Sequence, residues 1–167
     1  METIAVYWES RVKIYSITEV TNLSMTSILF PPLALEKLGR IVTTLEEPVH
    51  RFELVTQDYI DPAHSQLNLF YDRSKQGAAD AALEKEADKI KVTVTTTSPV
   101  ELIYLHGPHF QDRFGIADTV FSALKGDNIQ VITTGCAGTT IYIALPRNQA
   151  DQAAKILRET FIIPTTN

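Results

Sequence analysis

The chain has 167 residues, with 15 Lys and Arg against 20 Asp and Glu and a formal net charge of −5. A chain of this size buries roughly 70% of its unfolded surface, so its core needs neither disulfide nor metal. The acidic balance argues against a nucleic-acid or anionic-membrane surface, because both depend on neutralising phosphate. The single cysteine, Cys136, has no partner for a disulfide or a CxxC motif.

The N-terminus shows no sign of a targeting segment. It carries the acidic Glu2 where a signal peptide has positive charge, and no apolar run approaches the ~18 residues of a membrane span. We therefore expect a cytoplasmic protein that has neither a membrane nor a nucleic acid as partner.

The first half of the chain predicts strands and helices from its apolar periodicity and its Pro and turn residues. Residues 19–27 are polar and are interpreted as irregular. The predicted elements are strands Ile4–Trp8 and Arg11–Ile17, helix Leu33–Leu45, strands His50–Val55 and Gln66–Tyr71, and helix Gly77–Ile90.

The second half predicts the same order again. A turn at Ser98-Pro99 separates its first two strands, and a loop with Gly and His, Gly107–Arg113, precedes its first helix. The predicted elements are strands Ile90–Thr97 and Val100–Leu105, helix Phe114–Lys125, strands Ile129–Thr134 and Thr140–Leu145, and helix Gln149–Phe161.

This repetition predicts two tandem units, one over residues 1–93 and one over residues 94–167. The order strand, helix, strand, strand, helix builds an antiparallel sheet with both helices on one face. The predicted class is therefore α+β.

Five segments form a further pattern through their order and spacing: Ile4–Ile17, Val100–Gly107, Phe114–Leu124, Asn128–Ile132 and Ala153–Phe161. This pattern resembles the ACT domain, and most of all the regulatory ACT pair of aspartate kinases. The resemblance implies two ferredoxin-like domains of βαββαβ type. Aspartate kinases carry a kinase domain ahead of this pair, so the chain resembles a free-standing regulatory subunit.

The sequence departs from the family pattern in three places. Phe114 stands where the family has proline, and Gly135–Gly138 replaces the Ser-Glu that follows a family strand. The first repeat has no glycine between Glu19 and Pro32, so it lacks the ligand loop of the family.

The loop before the second repeat's first helix is the candidate ligand site. Free backbone N–H groups and the positive end of a helix suit the α-carboxylate of an amino acid. Asp112 or a loop carbonyl would accept from its α-ammonium, and Arg113 would bind a carboxylate. The alternative is a surface loop whose Asp112 caps the helix. The candidate ligand-binding residues are His109, Gln111, Asp112, Arg113, Phe114, Gly115, Ile116, Ala117, Thr133 and Thr134.

Other residues admit a chemical and a structural interpretation. His106, His109 and Asp112 have the spacing of metal ligands, but two histidines without Cys or Glu company favour no metal. Thr133 and Thr134 either line a polar pocket or lie on a solvated strand face. We expect no metal site and no cofactor.

No GxGxxG, GxxxxGK[ST], GxSxG or HExxH motif occurs, so the sequence predicts no enzyme. It predicts a regulatory module that senses a small amino acid, with lysine or threonine implied by the resemblance, and that acts on a separate kinase subunit. Open sheet edges and faces favour a homodimer. The alternative is an assembly module that binds no small molecule.

Overall fold

The structure is a computed structural model that describes residues 11–90, 92–108 and 115–164. Its backbone contacts divide the chain into two units. The continuous unit comprises Thr21–Val100, and the split unit combines residues 1–20 with residues 101–167. The predicted strand Ile4–Trp8 lies outside the described residues.

The continuous unit has the order βαββαβ, and its strands lie in the order β2-β3-β1-β4. Strand β3 pairs antiparallel with both β1 and β2. Its elements are β1 (Ser16–Phe30, from Thr21 onward), α1 (Leu35–Val49), β2 (Leu54–Asp61), β3 (His64–Asp72), α2 (Gln76–Ile90) and β4 (Thr93–His106, up to Val100).

The core of the continuous unit lies between its sheet and its two helices. In α1, Leu38, Ile41 and Leu45 recur at helical spacing and are at most 5% exposed. They form one cluster with alternate residues of β3, including Leu67 and Leu69. Fully burying each such side chain stabilises the fold by about 1.5–3 kcal/mol.

The split unit has the strand order β1-β4-β6-β5. The amide of Tyr15 donates to the carbonyl of His106 at 2.7 Å, and Lys13 forms a parallel bridge with Ile162. The N-terminal segment thus occupies the position that a fourth strand has in a ferredoxin-like sheet. The other elements are β4 from Glu101, α3 (Ile116–Gly126), β5 (Thr133–Ala137), β6 (Thr140–Pro146) and α4 (Ala150–Thr160).

The core of the split unit is aliphatic. Strand residues such as Ile103 and Ile143 meet Val120 of α3 and Leu157 of α4, all at 0% exposure. Ile14 belongs to the same cluster, so the N-terminal segment is packed into this unit.

The predicted α+β class with antiparallel strands and ferredoxin-like units is confirmed. All four predicted helices occur, with bounds that move by a few residues. The polar segment 19–27, interpreted as irregular, is instead part of β1. Its alternation is hidden because Leu23, Ser24, Met25 and Thr26 are all buried, so both faces of the strand are covered.

Other predicted bounds are wrong as well. Of the predicted strand Arg11–Ile17, only Ser16 and Ile17 belong to a strand, β1, and Lys13 forms an isolated bridge. The predicted turn at Ser98-Pro99 lies inside β4. Strand β2 begins at Leu54 rather than His50, and β5 begins at Thr133 rather than Ile129. For β2 and β5 the apolar run that suggested a strand lies next to the paired residues, because backbone pairing rather than composition sets the register.

The two compact units also have different bounds from the predicted domains 1–93 and 94–167. Residues 11–20 pack with the second repeat because Ile14 is buried in its core and donates its amide to Ile162. A tandem reading of the sequence assigns them to the first repeat, since it counts elements in chain order.

Candidate functional site

Half of the predicted site lies outside the described residues. This half comprises His109, Gln111, Asp112, Arg113 and Phe114. The described half comprises Gly115, Ile116 and Ala117 at the start of α3, with Thr133 and Thr134 in β5.

Gly115 is the N-cap of α3 and has a left-handed backbone, with φ +88° and ψ −3°. A Cβ built on it would meet no heavy atom within 4 Å, so glycine is favoured by conformation and not by crowding. The carbonyl of Gly115 accepts from the amide of Thr119 at 2.9 Å and from its hydroxyl at 2.8 Å. Gly115 is exposed, and no side chain caps the helix there.

The core fixes where α3 begins. Ile116 is 1% exposed and belongs to the aliphatic cluster with Val120 and Leu124, one and two turns further on. The first turn also contains Asp118, whose negative charge complements the helix dipole. This helix end therefore offers backbone donors next to an exposed glycine, at a position that the core holds rigidly.

Thr133 and Thr134 lie opposite Ala144 and Ile143 of β6. Adjacent residues of a strand point to opposite faces, so these two side chains cannot line the same pocket. Thr134 shares its face with Ile143, which is packed against the helices, and its hydroxyl donates to the carbonyl of Tyr142 at 2.8 Å. In this register, Thr134 rather than Thr133 lies on the face of the sheet that packs against α3.

Thr134 is offset along β5 from the end of the sheet at which β4 finishes and the chain continues towards α3. The end of β4 meets the start of β6 there, because the amide of Gly107 donates to the carbonyl of Thr139 at 2.8 Å. Thr134 pairs with Ile143, which is three residues after Thr140, the first residue of β6. Three residues of a strand span about 10 Å, so Thr134 lies about that far from this end of the sheet.

Unlike Gly115, Gly135 is in a crowded position, opposite Tyr142 of β6. A Cβ at Gly135 would clash with the Oη and Cζ of Tyr142. The ring of Tyr142 thus lies against the backbone of β5, and only glycine leaves room for it.

His106 and Cys136, the other side chains with reactive groups considered in the sequence, do not form a reactive site. Nδ1 of His106 lies 3.0 Å from the hydroxyl of Thr140, and its ring stacks on Tyr104 with centroids 6.3 Å apart. Burial raises the pKa of the Cys136 thiol, which disfavours the reactive thiolate. Within the described ranges no group of three His, Cys, Asp or Glu side chains could hold a metal ion.

One important side chain was not selected from the sequence. Glu101 of β4 is 8% exposed, and its Oε2 accepts from the amides of Gln149 at 3.0 Å and Ala150 at 2.8 Å. A buried carboxylate thereby caps the start of α4. The signal that could have revealed it is a charge inside the apolar run Val100–Ile103.

The continuous unit has a network of hydroxyl groups under α2. The hydroxyl of Ser24 lies 3.0 Å from both Gln76 Oε1 and Ser98 Oγ. Thr26 Oγ1 lies 2.8 Å from the hydroxyl of Tyr71 and 3.3 Å from Thr96 Oγ1. The polar residues of segment 19–27 that looked irregular in the sequence form part of this network.

At the helix start that corresponds to Gly115, the continuous unit has Pro31 and Pro32. Proline has no backbone N–H, so two amide donors are missing just before the short helical turn Pro32–Ala34 that leads into α1. The absence of a ligand loop in the first repeat, predicted from the sequence, thus has a chemical basis.

Residues 103–161 match the family model described as the ACT domain. The predicted resemblance is confirmed. The regulatory subunit of aspartate kinase from Thermus flavus superposes with a TM-score of 0.80 at 13% identity, covering 90% of this chain and 99% of that chain. A structure of aspartokinase alpha and beta subunits gives a TM-score of 0.76 at 12% identity, covering 88% of this chain and 97% of that chain.

A longer relative contains the same fold as one part of its chain. Aspartokinase III from E. coli, in complex with lysine and aspartate, gives a TM-score of 0.63 at 18% identity, covering 92% of this chain and 34% of that chain. No curated protein is significantly similar in sequence. Among the described residues, no helix combines the length and the apolar character needed to cross a membrane.

Proposed function

We propose that the chain is a non-catalytic regulatory module that senses a small amino acid through its split unit. The observation that carries this proposal is the exposed, left-handed Gly115 at the start of α3, within the segment that matches the ACT domain. The backbone amides of the first turn of α3 would bind the α-carboxylate of the ligand.

The ligand loop of the proposal includes residues that the structure does not describe. We assign His109, Gln111, Asp112, Arg113 and Phe114 to it on the sequence pattern alone. Asp112 would accept from the α-ammonium group, and Arg113 would pair with a carboxylate. Ile116, whose side chain is buried, and Ala117 would supply backbone contacts. Thr133 and Thr134 are left out of the proposed site because of their positions on β5.

Lysine or threonine is the expected effector. The resemblance to aspartate kinase regulatory regions favours these two, and the E. coli aspartokinase III structure was obtained with lysine. Binding at one such site supplies the few kcal/mol of differential affinity that a regulatory change requires.

The partner of the module would be a separate amino-acid kinase subunit, in a cytoplasmic homodimer. The structures of which this chain covers nearly the whole length are those of regulatory subunits, one of them solved with alpha and beta aspartokinase subunits together. The competing candidate is an assembly module with no small ligand, favoured by the missing Ser-Glu at Gly135–Gly138.

A thermal-shift panel of the natural L-amino acids separates these two candidates. A ligand at 100 times its dissociation constant stabilises the folded state by about 2.7 kcal/mol. For a chain of this size the melting temperature should rise by roughly 5–10 °C. Only lysine or threonine should produce this shift, with the D-enantiomers as matched controls. A panel without any shift, from a protein that still forms dimers, would favour the assembly module.

A further inference from the structure

One face of α3 is exposed along its whole length. Asp118, Phe121, Ser122 and Lys125 recur at the i, i+3, i+4 and i+7 spacing and form a single stripe. We call these four residues the α3 stripe. The opposite side of the helix carries Ile116, Val120 and Leu124 and is buried. The helix is therefore amphipathic, yet its solvent side has a large aromatic side chain at its centre.

Phe121 lies at the edge of an apolar groove. Its side chain is 42% exposed, and together with the groove it forms an apolar patch on the surface of the split unit. The groove has a volume of about 420 Å³. Its lining residues are Phe121, Leu124, Lys125, Asn128, Ile129 and Val131.

The end of α3 builds this groove. Asn128 is left-handed, with φ +56°, and its amide lies 3.4 Å from the carbonyl of Lys125. The amide of Ile129 then donates to the carbonyl of Leu124 at 3.2 Å, which is the Schellman pattern of a helix C-terminus. This turn brings Ile129 and Val131 back beside the last turns of the helix, where both are half-buried.

The charges of the α3 stripe are arranged symmetrically about its centre. Asp118 and Lys125 are seven residues apart, about 10 Å along the axis, and their midpoint falls between Phe121 and Ser122. Within the described part of the chain, neither side chain forms an ion pair. If two such helices lie antiparallel, each aspartate comes opposite the lysine of the other helix. If they lie parallel, like charges meet.

We propose that the α3 stripe packs antiparallel against the α3 stripe of a second copy of this chain, about a two-fold axis. Phe121 of each copy occupies the groove beside Phe121 of the other, and Asp118 pairs with Lys125 of the second copy at both ends. An isologous interface requires this kind of self-complementarity. The aromatic centre provides the apolar anchor, and the flanking ion pairs fix the direction.

The corresponding helix of the continuous unit has no such surface. The exposed residues of α1 whose side chains are described are Gly39, Arg40, Thr43, Glu46 and Glu47. None of them is apolar, and three of the five are charged. A second copy therefore finds an apolar anchor on α3 and none among these described residues of α1.

The inference deepens the proposed dimer but does not depend on amino-acid binding, so it is tested without ligand. Sedimentation velocity over a concentration series gives the dimer dissociation constant of the full chain. Phe121→Asp should raise this constant at least about 100-fold, because it places a charge at the centre of the interface. Leu33→Asp is the matched control, since Leu33 is fully exposed on the continuous unit.

A charge swap tests the direction of the helices. Asp118→Lys alone and Lys125→Asp alone should each raise the dissociation constant roughly tenfold, because each places like charges opposite one another. The double variant restores opposite charges and should return to within about threefold of wild type. Asp151→Lys on α4 is the control for a change in net charge.

Each outcome bears on a different claim. Circular dichroism and thermal unfolding must show that every variant is folded, since Asp118 and Lys125 also complement the dipole of α3. A Phe121→Asp protein that dimerises like wild type would place the dimer interface elsewhere and overturn the inference alone. A folded double variant no better than the single variants would overturn the antiparallel arrangement. A wild-type monomer at high concentration would overturn the proposed dimer itself.

Discussion

The two units share a topology but differ in how strand and helix are joined. In the split unit, the buried carboxylate of Glu101 accepts from two amides at the start of α4. In the continuous unit, the corresponding strand carries Ser24, whose hydroxyl contacts the side chain of Gln76 at the start of α2. One arrangement relies on a single charge and the other on several neutral hydroxyl groups. The same fold thus tolerates two different arrangements of polar groups between this strand and the start of the second helix.

The units differ again where their first helices begin. Gly115 leaves the start of α3 exposed and keeps its amide, whereas Pro31 and Pro32 lack two amide donors before α1. The proposed ligand site is therefore confined to the split unit.

The largest effect is expected for Gly115→Val. A β-branched residue at φ +88° is strained by about 1–3 kcal/mol, and the helix start would shift to relieve it. We expect amino-acid affinity to fall at least about 30-fold by calorimetry, equivalent to about 2 kcal/mol.

Gly138→Val is the matched control for this strain. Gly138 has φ +61° and equally open surroundings, but it lies in the turn between β5 and β6. It should lose similar stability and retain binding. Unchanged affinity in the Gly115→Val protein would rule out the loop assignment, and so would two equal binding sites per chain.

Removing the buried carboxylate of Glu101 in the split unit should have the next largest effect. Glu101→Ala leaves two amides at the start of α4 without an acceptor, one of them buried, and should lower the free energy of unfolding by about 1–3 kcal/mol. Glu101→Gln keeps one acceptor oxygen and should lose less.

Urea unfolding measures both variants against Ser24→Ala in the continuous unit. Ser24→Ala removes a neutral hydroxyl whose partners retain other contacts, so it should cost about 0.5–1.5 kcal/mol. A loss for Ser24→Ala that equals or exceeds that for Glu101→Ala would contradict the contrast between a single charge and a shared network.

The sequence predicted the split unit's α3 and α4 well because their apolar residues recur at helical spacing and their ends carry turn residues. It misplaced the strand around Ser24 and Thr26 because a polar residue in a core looks like a loop residue until its partners are known. Those partners, Tyr71 and Thr96, are distant in sequence. Long-range pairing of this kind has no local signal.

The candidate site, like the fold, was predictable only in part. The glycine before α3 could be selected because a helix start with Gly is a local pattern. The opposite orientations of Thr133 and Thr134 follow from their being neighbours in a strand, which the predicted strand Ile129–Thr134 already implied. The position of that strand was less accurate, since β5 begins four residues later. Glu101 was missed because its function depends on a helix 48 residues away.

A smaller effect is expected where β5 meets the ring of Tyr142. Gly135→Ala forces that ring away from the backbone and should cost about 1–2 kcal/mol of stability. In a Tyr142→Ala background the same change should cost less, because the three atoms nearest to the added methyl group all belong to the Tyr142 side chain. The two substitutions should therefore be strongly non-additive in urea unfolding. Additive losses would mean that Gly135 is required for another reason.

The smallest effect is a pH dependence of stability that belongs to the continuous unit. Burial raises the pKa of Tyr71 above its usual value of 10.0; the hydrogen bond with Thr26 partly opposes this, and Asp80 adds to it. Because the folded state holds the phenol neutral, this contribution is fully present below pH 10 and is lost as the pH rises through the folded pKa. Tyr71→Phe should remove this alkaline loss, so the unfolding free energies of wild type and variant should differ by a constant amount at neutral pH and diverge above pH 10. Tyr15→Phe in the split unit is the control, since the Tyr15 side chain is 62% exposed and its loss should leave the profile unchanged. Parallel profiles for wild type and Tyr71→Phe up to pH 11 would show that burial of Tyr71 does not hold its phenol neutral.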